Sequence, residues 1–115
     1  CGMGTDVGGG TSLSLLKTAS EAYKVLHLQE HALTATRALY LATLGAAEAL
    51  NLEDRIGNFE TGKEADFVVL DYEGSALTAR RTAAAKTVEE KLFALMTLAD
   101  DRNVAATYVM GSRRM

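Results

Sequence analysis

Between Ser12 and Gln29 the apolar side chains recur mostly at steps of three and four. Leu15, Leu16, Ala19, Ala22, Tyr23 and Leu26 line one side of an ideal helix, so the spacing predicts a helix over 12–29. A second run, from a capping Thr34 through ATRALYLATLGAAEAL to Leu50, predicts a largely buried helix weakened at Gly45. The helical period then stops. EDRIGNFETGKEA reads as loop and turn, and DFVVLDY, short, apolar and β-branched, reads as a strand. In Thr87-Val88-Glu89-Glu90 the outer two side chains are spaced to satisfy each other's free backbone N–H groups, a capping box. Leu92, Phe93, Leu95, Met96 and Ala99 then form the apolar side of a third helix. VAATYVMGSRRM predicts a strand and a hairpin turn at Gly111-Ser112, with too few residues after the turn to pair well.

Ahead of the first helix stands CGMGTDVGGGTS, which reads as a strand ending at Thr5 and a glycine-rich loop carrying Asp6. Strand and helix thus alternate, and the expected class is α/β. The hydrophobic share of 48% in 115 residues suffices for one packed core. A net charge of -3 without any block of Lys or Arg lacks the footprint of a nucleic-acid binder, so no nucleic-acid partner is expected. One cysteine makes no internal disulfide, and no apolar run is long enough to cross a bilayer; no membrane partner and a cytoplasmic location are expected. Cys1 falls within the apparent strand-to-loop passage and the last strand is short, which leads us to expect a piece of a longer chain.

Three motifs bear on chemistry. Gly57 to Glu64, GNFETGKE, has the glycine and lysine spacing of a phosphate loop. Glu64, however, stands where a magnesium-binding hydroxyl belongs, and a strand follows where a helix N-terminus should, so a plain glycine turn is the better reading. His27 to His31, HLQEH, has the spacing of inverted zinc peptidases, in which two imidazoles four apart chelate zinc beside a glutamate base. The helical stripe fades at Gln29, and a solvated pair of surface histidines accounts better for the motif. The opening glycines do not fit a dinucleotide fingerprint, because from Gly4 the middle glycine is replaced by Asp6. Strand, acidic residue, loop and helix in that order match the way a (β/α)8 barrel presents a catalytic group at its C-terminal rim, while a bare helix or turn cap remains the alternative for Asp6.

GMGTDVGGGTSLSLL, AYKVLHLQEHALTATRALYLATLGAAEALNL, IGNFETGKEADFVVLD and VEEKLFALMTLADDRNVAATYVMG together resemble the C-terminal stretch of the guanine deaminases, within the amidohydrolase superfamily. The resemblance implies the C-terminal part of a metal-dependent (β/α)8 barrel, its last strand and helix with an adjoining helix, over residues 1–50. Over 51–115 it implies the C-terminal share of a small β-sandwich domain with an intervening helix. It also implies zinc-dependent hydrolysis of guanine to xanthine and ammonia in purine catabolism, with Asp6 matching the family aspartate that ends the eighth strand. That aspartate touches the zinc and takes the proton from its water. No His-x-His pair occurs, so Asp6 is the one member of the constellation expected here, and the chain alone is expected to be inactive and to hold no zinc. A barrel cut to its last elements bares apolar sides at Leu15, Leu16, Ala19, Leu39 and Leu50, and self-association into homo-oligomers is the consequence expected. The competing reading is a non-catalytic α+β domain or interaction module in which Asp6 caps the first helix.

Overall fold

A computed structural model describes residues 1–115 as five helices and a three-stranded sheet. Helix α1, Leu15–Leu28, starts at Ser14, whose hydroxyl accepts the Lys17 N–H at 3.4 Å. Helix α2, Ala35–Ala42, starts at Thr34, whose hydroxyl accepts the Arg37 N–H at 3.1 Å. The helix expected over Thr34 to Leu50 is two helices. At Thr43 (φ -126, ψ -101) the backbone leaves the helical region, and α3, Leu44–Ala49, begins again beyond it. Thr43 Oγ1 donates to the Leu39 carbonyl at 2.7 Å, the back-bonding by which threonine bends or interrupts a helix.

Strand β1, Phe67–Leu70, pairs antiparallel with β2, Val104–Val109, with Phe67 opposite Tyr108 and a bulge between Val69 and Leu70. The two rings stack at 4.5 Å, the closest aromatic pair in the chain. Strand β3, Ser112–Arg113, pairs with β2 through a turn whose central residues are Met110 (φ 50) and Gly111 (φ 73). Two successive positive φ angles define a type I′ turn, which matches the twist of the strands, so the turn sits one residue earlier than Gly111-Ser112. Pairing also reaches past β3, since the Met115 carbonyl accepts the Thr107 N–H at 3.1 Å. The expected strand at Cys1–Thr5 is not formed. Its one bond to another element is Met3 N–H to the Leu41 carbonyl, 2.8 Å, and a strand is defined by a neighbour that this segment does not have.

Helix α4, Ala76–Ala83, has no apolar stripe; the residues it buries are Thr78 and Thr82. It opens on a capping box in which Ser75 Oγ accepts the Thr78 N–H and Thr78 Oγ1 accepts the Ser75 N–H. Helix α5, Val88–Leu98, starts at Thr87 as expected, but Glu90 reaches back to the Lys86 N–H rather than to Thr87, so the box is only half closed. Met96 of α5 joins Ala19, Leu33, Ala35 and Ala38 in a buried cluster, and Tyr23 meets Phe93 edge-on at 5.3 Å. Residues before and after position 50 therefore share one core. Of the positions expected to be bared, Ala19 is inside it and Leu15 and Leu16 are half-buried, whereas Leu39 and Leu50 are exposed.

The sheet is joined to this helical layer by Asn103, fully buried in a 3-10 turn, Asp101–Asn103, just before β2. Its Nδ2 donates to the Asp71 carbonyl at 2.8 Å and to Thr78 Oγ1 at 3.2 Å, its Oδ1 accepts the Asp100 N–H at 3.3 Å, and its own carbonyl accepts the Asp71 N–H at 2.7 Å. The Arg102 side chain, and then its backbone N–H, hold the Asp100 carboxyl down at about 2, so the turn stays closed by an ionised group. Removing the amide leaves three hydrogen bonds unmade, one of them to the buried Thr78 hydroxyl, and opens a hole at a fully buried position: Asn103→Ala is expected to lower unfolding free energy by about 2–4 kcal/mol, read as a fall in the urea midpoint at unchanged slope.

Candidate active site

Asp6 sits at the head of a tight turn rather than on a helix. Its φ of 45 lies in the left-handed region, which few residues other than glycine adopt. The Asp6 carbonyl accepts two amides, Gly9 N–H at 3.0 Å and Gly10 N–H at 2.5 Å, and Val7 forms a short parallel bridge to Gly10. The carbonyl is thus occupied while the carboxylate is exposed and accepts no hydrogen bond. Helix α1 is capped by Ser14, eight positions later, so the reading of Asp6 as its cap does not hold. The turn stands in front of α1 and is tied back by Met3 to α2.

The histidines do not share a helical face. Helix α1 ends at Leu28, Glu30 turns left-handed (φ 62), its N–H donates to the His27 carbonyl at 3.1 Å and the His31 N–H donates to the Leu26 carbonyl at 2.9 Å. That is the Schellman closure of a helix C-terminus, so HLQEH is a stop signal and not a chelating pair. Both imidazoles are exposed, with His27 stacked on Tyr23 at 5.7 Å. Nowhere do three His, Cys, Asp or Glu side chains gather in a group that would hold a metal ion. A catalytic zinc takes about three protein ligands, and the residues of this chain do not fit one by themselves.

The GNFETGKE segment turns at Gly57 (φ 102) and Gly62 (φ 97), and its Lys63 is bound to Glu60 at 2.8 Å. Glu64 pairs with Arg55, and β1 follows. The adjoining cleft of about 570 Å³ is lined by Glu48, Glu53, Asp54 and Glu60 against the single cation Lys63, an excess of negative charge that repels phosphate.

The sequence profile of the amidohydrolase family matches residues 1–114. The chain belongs to the amidohydrolase family. It is 53% identical over 110 residues to the guanine deaminase of Escherichia coli (strain K12), a match covering 96% of this chain and 25% of that protein. The solved structure of the E. coli guanine deaminase superposes with a TM-score of 0.96 at 51% identity, over 99% of this chain and 27% of the other. That of the guanine deaminase from Bradyrhizobium japonicum superposes with a TM-score of 0.83 at 37% identity, over 97% and 30%. The chain thus spans about a quarter of the length of the relatives it matches.

Within this amidohydrolase chain the residues singled out by sequence fall apart in space and in kind. Asp6 is presented, the histidines end a helix, and the phosphate-like loop closes on its own ion pairs. The glycines at positions 9 and 10 close the Asp6 turn, and their signal in the sequence is the glycine run itself. The helix-stop assignment has a direct consequence at Glu30. A left-handed L-residue costs about 1–2 kcal/mol, and glycine's extra freedom in the unfolded chain offsets roughly half of the relief. Glu30→Gly is expected to stabilise the chain by about 0.5–1 kcal/mol in thermal or urea unfolding, where an ordinary mid-helix position would lose about as much.

Proposed function

We propose that the parent-length protein carrying this chain is a guanine deaminase that hydrolyses guanine to xanthine and ammonia in purine catabolism. The reading rests above all on the match of 53% over almost the whole chain, in a segment that holds an exposed carboxylate ahead of a capped helix. Hydrolysis forms a C–O bond at the ring carbon bearing the exocyclic amine and breaks the C–N bond. The attacking water must lose a proton and the leaving amine must gain one. Asp6, an exposed carboxylate free of hydrogen bonds, is the group of this chain suited to take the first and return it to the second. Zinc is proposed as the parent's cofactor, with Asp6 as one ligand and the others beyond this chain.

The reading also takes residues 1–50 as the end of a (β/α)8 barrel and 51–115 as part of a small β-sandwich domain, with α5 bridging the two. Supporting it, the chain exposes 7722 Å², where a compact protein of this mass exposes about 6100 Å². Leu13, Leu28, Leu50 and Phe59 are among the side chains left outside. That surplus suits an amidohydrolase segment packed against further chain, and it suits association between copies when the segment is alone. Guanine is the proposed small-molecule partner and the cytoplasm the proposed location.

Asp6→Asn keeps the shape of the side chain and removes its proton-accepting charge. In the parent-length protein, ammonia release from guanine is expected to fall by roughly 10²-fold or more with folding unchanged, and the 115-residue chain alone is expected to release none. A parent-length Asp6→Asn enzyme that deaminates guanine at the wild-type rate would refute the role of Asp6.

A further inference from the structure

Four glycines surround Asp6 at positions 4, 8, 9 and 10, and they are not equivalent. Gly4 has open space where a side chain would stand. Gly8 has a φ of 110, so its demand is conformational. Gly9 and Gly10 have ordinary φ angles, and their demand is for space. A Cβ on Gly10 would overlap the Thr5 carbonyl oxygen and lie 3.1 Å from the Asp6 carbonyl oxygen, both fixed backbone atoms. A Cβ on Gly9 would instead meet the Asp6 carboxylate, at 2.9 Å from Oδ2 and 3.6 Å from Cγ.

We infer that Gly9 is a positioning residue for Asp6: its missing side chain leaves the space in which the Asp6 carboxylate rests, while Gly10 keeps the turn itself closed. The inference rests on the proposed role of Asp6 as proton acceptor. The carboxylate accepts no hydrogen bond, and the space beside its Oδ2 is the space that a side chain on Gly9 would fill. Gly9 does not take a positive φ and its closest neighbour is the end of a flexible side chain, so an added methyl is expected to leave the fold intact. It turns the carboxylate about its own side-chain torsions, because that flexible end yields more readily than backbone. A catalytic group displaced by about 1 Å loses up to 10²-fold in rate without a matching loss in substrate binding.

The test uses the parent-length protein and three single variants, Asp6→Asn, Gly9→Ala and Gly10→Ala. Gly9→Ala is expected to fold normally and to lower kcat for guanine about 10- to 100-fold with KM within about threefold. Its crystal structure is expected to show the Asp6 carboxylate rotated away while the backbone of residues 5–10 superposes on the wild type. Gly10→Ala is expected to lose the folded turn altogether, read as loss of soluble protein or a marked fall in Tm. An unimpaired Gly9→Ala enzyme beside an inactive Asp6→Asn enzyme overturns this inference and leaves the role of Asp6 standing. A Gly9→Ala protein that fails to fold also overturns it, because the cost then lies in the backbone. Full activity in Asp6→Asn removes both readings together.

Discussion

The side-chain amide of Asn103 is the point through which the later half of the chain is assembled. It is fully buried and spends its hydrogen-bonding groups on three different places: the end of β1 at Asp71, the start of α4 at Thr78 and the turn at Asp100. A buried amide with that many partners tolerates no sliding between them, since each lost bond leaves a dry polar atom. The sheet and the α4 helix are therefore set at one distance and one angle. Gly74 shows how tight the junction is, because a Cβ there would stand 2.7 Å from the Asn103 Cα. Helix α5 follows α4 and in turn supports α1 and α2 through Met96, Phe93 and the bond from Ser20 to the Thr97 carbonyl. The position of α1, and of the Asp6 turn in front of it, thus depends on a junction at the other end of the chain.

The two ends of that dependence are built on opposite principles. Around Asn103 the buried polar atoms are paired. Around Asp6 the backbone is paired and the carboxylate is not, and the turn is kept narrow by glycines rather than by packing. A satisfied junction gives stability; an exposed, unpaired acid is what the proposed proton transfer needs. The chain also has a large exposed surface and a short sheet, and it spans about a quarter of its relatives' length.

What was legible in the sequence follows the same physics. Helices α1 and α5 announced themselves because they bury aliphatic and aromatic side chains on one face and begin at hydroxyl caps. Helix α4 did not, because its buried face is Thr78 and Thr82, polar residues that a hydrophobic period does not register; its one signal was Ser75 three positions before Thr78. The break at Thr43 was missed because alanine and leucine continue through it, and the interrupting bond is made by a single hydroxyl. The strand expected before Asp6 failed for a different reason: strand character at Cys1–Thr5 belongs to a pairing, and no partner strand lies in this chain. Asp6 is singled out in the sequence by the order of elements around it and by resemblance, whereas the space beside its carboxylate at Gly9 is visible only in three dimensions.

The proposed catalytic site is divided between this chain and the rest of a longer protein, with the Asp6 carboxylate on this side. Titrating the purified 115-residue chain with zinc by calorimetry tests that division most directly. A lone exposed carboxylate binds zinc weakly, so the account predicts no stoichiometric uptake and no zinc left after dialysis. One zinc ion per chain surviving dialysis, and lost on replacing His27 and His31, would contradict it and place a complete metal site within these residues.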